Sequence, residues 1–171
     1  YRTPSMKSRD AYVLDMISTI LSDGKSSRLY KKMVDEKKIS LQVQAVNLGL
    51  EDYGGYVILS LPLGENSLDD LLVNIEEEVV KLQNELISDR EYSKLQNIFE
   101  NNFVSSNASM AGVANSLARY YMLYGNTNLI NDQIDIYKSI TKEEIRDVAR
   151  KYLKKNQRAI IDYLPKKDEG Q

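Results

Sequence analysis

The order of periodicities along this chain predicts an α+β fold, a two-layer sandwich in which an antiparallel-rich sheet carries helices on one face. Three observations lead there. Period-two stretches are few, and two of them follow one another around a Gly-Gly pair, as the arms of a hairpin do. A long run of purely helical spacing then occupies Ser67 to Leu153. Helices and strands are therefore segregated rather than alternating, which disfavours a parallel doubly wound sheet. The 171 residues suffice for one sizeable core.

Tyr1 to Pro4 reads as the end of a strand closed by proline. Ser8 or Asp10 can cap a helix whose apolar stripe is Val13, Leu14, Ile17, Ile20 and Leu21, and Gly24 occupies the left-handed position that ends it. A shorter helix after Ser26-Ser27 carries Leu29, Tyr30, Met33 and Val34 and stops in the charged run Asp35 to Lys38. Ile39, Leu41, Val43 and Ala45 then alternate with Ser40, Gln42 and Gln44, the signature of a half-buried strand. Gly54-Gly55 is expected to make the hairpin turn, with Tyr56 to Leu61 returning and Pro62 ending the strand. Ser67 with Asp70 resembles a capping box before Leu68, Leu71, Leu72, Ile75, Val79, Leu82 and Leu86. Within that helix, Glu76-Glu77-Glu78 is expected to form a solvated face. Ser88 with Glu91 opens a helix through Tyr92, Leu95, Phe99 and Phe103, followed by a break at Ser105 to Ser109. Val113 to Tyr124 is helical up to Gly125, and Leu129 to Tyr137 forms a short helix. Thr141 with Glu144 caps the last helix, a final strand is expected over Ala159 to Leu164, and Lys166 to Gln171 is a polar tail.

Chemistry is bounded by two absences, since the chain contains neither histidine nor cysteine. Histidine-based acid–base catalysis, thiolate nucleophiles, disulfides and the usual zinc ligands are all excluded within it. The carboxylate pairs Asp69-Asp70 and Glu143-Glu144 point in different directions on their helices and match no metal-site spacing. Gly24-Lys25-Ser26 lacks the earlier glycine of a phosphate loop, Thr19 standing there, and it follows a helix rather than a strand. A net charge of −2 leaves no basic footprint for nucleic acid. No apolar run approaches the roughly 20 residues of a membrane span. Arg119, Tyr120, Tyr121 and Tyr124 put a cation and three phenols on one helix, either to hold a peptide backbone or oxyanion or to pack with hydroxyls at the surface.

The string Ile20-Leu21-Ser22-Asp23-Gly24-Lys25-Ser26-Ser27-Arg28-Leu29-Tyr30, behind a Tyr-Arg-Thr-Pro strand, resembles the non-catalytic domain of the pitrilysin/insulinase zinc peptidases, the inverted zincins. Gly24 turns the chain, Ser26 or Ser27 caps, and Arg28 can pair with backbone or acids. The likeness extends through the Gly-Gly hairpin, Ile87 to Glu91 and Ile140 to Ile145, and so covers essentially the whole chain. It implies one peptidase-like domain over residues 1–171, a piece of a longer chain with its first strand truncated. The catalytic half of such proteins carries H-x-x-E-H and the zinc; this sequence has no such motif. The resemblance therefore implies no zinc here, zinc in a catalytic half in the same chain or a partner subunit, and a role in closing the chamber and holding peptide. Some such halves place an arginine and a tyrosine near the active site before the last helix. Tyr137 is in that neighbourhood, whereas Asn126 to Ile136 contain no arginine, Arg119 being the nearest on the N-terminal side.

The resulting expectation is a non-catalytic peptidase half that is inactive by itself, with Tyr137, Arg119 and Tyr120 as the substrate-contacting candidates. A free-standing interaction module that retains the fold is the alternative, and a carboxylate-based hydrolase ranks last.

Overall fold

The computed structural model describes residues 1–164. In chain order it comprises β1 (Arg2–Pro4), α1 (Arg9–Ser22), a π-helical segment (Tyr30–Glu36), β2 (Ser40–Leu48) and β3 (Tyr53–Pro62). Then come α2 (Leu68–Asn84), α3 (Asp89–Ser106), α4 (Met110–Tyr124), α5 (Leu129–Lys138), α6 (Lys142–Tyr152) and a short 3-10 turn at Lys155–Gln157. The sheet is antiparallel throughout, in the order β1-β3-β2. Helices lie on one of its faces, as the α+β sandwich requires.

α1 is the axis of the core. Ser8 caps it by accepting from the Asp10 amide. Leu14, Met16, Ile17 and Leu21 are wholly buried between the sheet and α6. Leu29 and Met33 close one end of this core, and Ile145 with Ala149 of α6 closes another. The expected capping boxes at Ser88–Glu91 and Thr141–Glu144 both form, whereas at Ser67 only the serine side of the box is made. Gly125 ends α4 in the left-handed region at φ 67°.

Four expectations are corrected. The hairpin turn is not at Gly54-Gly55 but at residues 49–52; the two glycines lie inside β3 opposite Thr3 and Arg2. A Cβ at Gly54 would stand 2.5 Å from the Thr3 hydroxyl and 2.7 Å from the Leu48 carbonyl, so glycine is required there by close strand approach. Along β2 a register shift between Ser40 and Gln42 reverses the first residues. Ser40 is buried and Leu41 is 61% exposed, while Val43 and Ala45 face the core as expected. The acidic run of α2 is only partly a solvated face: Glu77 is exposed, but Glu78 is buried between Lys32 and Lys81, and Glu76 pairs with Arg158 and Lys155. Finally, Ala159 to Leu164 is not a strand. Among the described residues the sheet consists of β1, β3 and β2, and residues 159–164 run exposed without joining either edge. The polar tail lies outside the described residues.

Candidate functional site

Where α1 leaves the sheet, its polar side faces α4 and α5 across a cavity of 410 Å³. Helical spacing sets the walls. Tyr12 and Asp15 stand one turn apart on α1, Gln133 and Tyr137 one turn apart on α5, and Tyr120 and Tyr124 one turn apart on α4. Arg119 of α4 and Asn47 at the inward register of β2 complete the polar lining.

Asp15 is the organising group. Its Oδ1 accepts from Asn47 Nδ2 at 2.9 Å and its Oδ2 from the Tyr137 hydroxyl at 2.9 Å. Asn47 is held in turn by the Ala11 carbonyl at 3.1 Å. Burial pushes the Asp15 carboxyl above the ordinary aspartate range, against the opposing pull of these two donors and of Arg119 through space. Burial likewise raises the Tyr137 and Tyr12 phenols, with the Asp15 charge adding to the effect at Tyr137. Both phenols therefore remain protonated at neutral pH, and Tyr137 remains a donor. Its ring is fixed by stacking on Phe99 at 4.3 Å and edge-on against Tyr12 at 5.2 Å. Tyr120 donates to Gln133 Oε1, and its ring meets Tyr124 at 6.3 Å.

The three residues singled out in the sequence thus meet in one cavity, Arg119 and Tyr120 from α4 and Tyr137 from α5. Tyr121 points away and is 68% exposed. Gly24, Ser26, Ser27 and Arg28 stand at the other end of α1 and take no part in the cavity. Gly24 has φ 73°, the Ser27 hydroxyl donates to the Gly24 carbonyl at 2.7 Å, and Ser26 accepts from Lys94 at 2.6 Å. Arg28 forms a two-pronged pair with Glu91 of α3, at 2.8 and 3.0 Å. That motif is a clasp between elements.

Asp15, Asn47, Tyr12 and Gln133 were not among the expected site residues. Asp15 could have been found as a carboxylate inside the apolar stripe of α1, and Asn47 as an amide at the position where β2 should turn a side chain inward. The donor set does not suit zinc. The chain has no histidine or cysteine, and among the described residues no three acidic side chains gather where they could hold a metal. Also among the described residues, no helix is long and apolar enough to cross a membrane.

Known proteins resemble this chain in sequence and in fold. Over 96% of its length the chain is 26% identical to the zinc protease PqqE of Helicobacter pylori, of which it spans 37%. A protease structure from Helicobacter pylori superposes with a TM-score of 0.85 at 25% identity, covering 92% of this chain and 38% of that one. An inactive peptidase domain from Bordetella parapertussis superposes at 0.83 and 22% identity, covering 99% of this chain and 91% of that one. The chain thus spans little more than a third of the Helicobacter pylori proteins it matches. Residues 1–99, more than half of the chain, match the family model described as the peptidase M16 inactive domain, and the chain belongs to that family.

Proposed function

We propose that this chain is the non-catalytic half of a pitrilysin/insulinase-like zinc metallopeptidase, closing a substrate chamber and helping to bind peptide. The observation that carries the reading is membership of the inactive-domain family in a chain matching about a third of a zinc protease. The zinc and the H-x-x-E-H helix belong, in this reading, to a catalytic half in the same polypeptide or in a partner subunit.

The cavity supplies the peptide-binding surface. A peptide presents carbonyl acceptors and amide donors, and the wall offers both kinds of complement: Arg119 as a charged donor, Asn47 and Gln133 as amides, and tyrosine hydroxyls that donate or accept. Arg119 makes no hydrogen bond or ion pair among the described residues, so its guanidinium is free to donate to a ligand. Catalysis is not assigned to any residue here.

The test is reconstitution. The pure chain, assayed on unstructured peptides with and without added zinc, is expected to give no turnover. A catalytic half, identified by H-x-x-E-H in the same polypeptide or a neighbouring gene, is expected to cleave faster when joined by this chain than alone. Arg119→Gln should raise KM in the joined enzyme. Zinc-dependent cleavage by the pure chain would overturn the assignment.

A further inference from the structure

Of the cavity's lining residues one is a carboxylate, Asp15, and one a cation, Arg119, and the two form no ion pair. Both groups that hydrogen-bond Asp15, the Asn47 amide and the Tyr137 phenol, are neutral. Among the described residues, Asp15 forms no ion pair; Arg119 acts on it only through space. A carboxylate withdrawn from water with neutral partners alone is electrostatically incomplete, and a cation beside it recovers an interaction strengthened by the low local dielectric. Tyr137 reaches that carboxylate through its hydroxyl, and Tyr12, Tyr120 and Tyr124 line the same cavity. Aromatic faces attract organic cations through their quadrupole, and several rings about one carboxylate form a recognised receptor type for ammonium and guanidinium groups. The volume of 410 Å³ lies within the range of small-ligand pockets, about 300–1,000 Å³.

We propose that this cavity takes the cationic group of a bound peptide, setting an ammonium or guanidinium against Asp15 among the four tyrosine rings. The inference rests on the peptide-binding reading above and adds the chemistry of the group selected. Arg119 is compatible with it from the cavity rim. It is exposed, and it donates to the carbonyls flanking the buried cation instead of competing for Asp15. Two parts of a peptide carry the required charge, a free amino terminus and a lysine or arginine side chain.

Four fluorescent versions of one short peptide separate these sources: lysine or norleucine at the central position, each with a free or an acetylated amino terminus. Fluorescence anisotropy against the 171-residue chain is expected to rank at least one cationic version about tenfold above the acetylated norleucine peptide. Preference for the acetylated lysine peptide assigns the side chain; preference for the free-amine norleucine peptide assigns the terminus. Asp15→Asn is expected to reduce the preference to within about twofold, read as the ratio of cationic to uncharged peptide affinities. Tyr124→Leu, made on the half-buried rim of α4, is expected to weaken the cationic versions more than the uncharged one, and it serves if Asp15→Asn does not fold. Arg119→Gln should weaken all versions alike. Equal binding of all four peptides would overturn this inference alone. Binding of none would overturn it together with the peptide reading, and an undiminished preference in folded Asp15→Asn would overturn the role of the carboxylate.

Discussion

The half of the molecule built on α1 and the sheet differs in kind from the lobe formed by α4 and α5. α1 buries eight residues, including Leu14, Met16, Ile17 and Leu21 with no exposed surface. α4 buries Tyr120 alone and α5 buries no residue fully. The first region is held by apolar burial. The second is held by hydrogen bonds and aromatic edges arranged around a cavity. Local stability follows apolar burial, so the part of the fold able to receive a ligand is also the part with least support of its own. Support and recognition are separated along the chain, and α1 belongs to both because its apolar stripe contains Asp15.

The largest test of that contrast is truncation on each side of it. Ile17→Ala removes a fully buried side chain and should cost about 2–5 kcal/mol of unfolding free energy, read from urea midpoints. Ile134→Ala on half-buried α5 should cost about 1 kcal/mol or less. Equal losses would mean that the two regions unfold as one equally supported body.

Two glycines sharpen the contrast at an intermediate scale. Gly54→Ala forces a methyl against the Thr3 hydroxyl and the Leu48 carbonyl, and Gly112→Ala forces one onto the Ser106 carbonyl where α4 meets the end of α3. Each should cost about 1–3 kcal/mol if the neighbours cannot move. The consequences should differ by region. Gly54→Ala should speed amide exchange in β1 and β3, whereas Gly112→Ala should speed it in α4 and α5 and weaken peptide binding, leaving α1 protected. Loss of protection in α1 by Gly112→Ala would break the separation.

The same division explains what could be read from residue order. Helix starts were readable because Ser8, Ser88 and Thr141 act locally, through an oxygen and amides two or three residues away. Features set by distant segments were not. Gly54-Gly55 has the composition of a turn, yet its need for glycine comes from Thr3, far away in sequence. Leu41 fits the alternation of β2, yet a bulge turns it outward. Glu78 sits in an acidic run that looks solvated, and only folding brings Lys32 against it. The cavity shows the same limit. Arg119, Tyr120 and Tyr137 stand out by residue type, while Asp15 and Asn47 acquire meaning only when α1, β2 and α5 converge.

The smallest expected effect tests the seam between the two regions. Arg28, just beyond α1, grips Glu91 on the first turn of α3, the helix that runs out to the cavity lobe. The Arg28 guanidinium holds the Glu91 carboxyl down to about 2, from an ordinary value of 4.5. A carboxyl more acidic in the folded state stabilises the fold fully above the unfolded-state value, where both states are ionised. As pH falls below 4.5 the unfolded chain takes up the proton first, and the stabilisation disappears progressively until about pH 2. The pair is partly solvated, with 34% of the Glu91 side chain exposed, so its contribution is about 1 kcal/mol rather than that of a dry ion pair. Glu91→Gln keeps an acceptor for the Ser88 amide and removes the charge together with one of the two oxygens that accept from Arg28. Wild type should therefore lose more of its urea midpoint between pH 4.5 and 2 than Glu91→Gln does, and the two should converge at the acid end. Parallel profiles would show that the clasp contributes geometry without charge, and that α3 is tied to the core by the packing of Leu95, Tyr92 and Phe99.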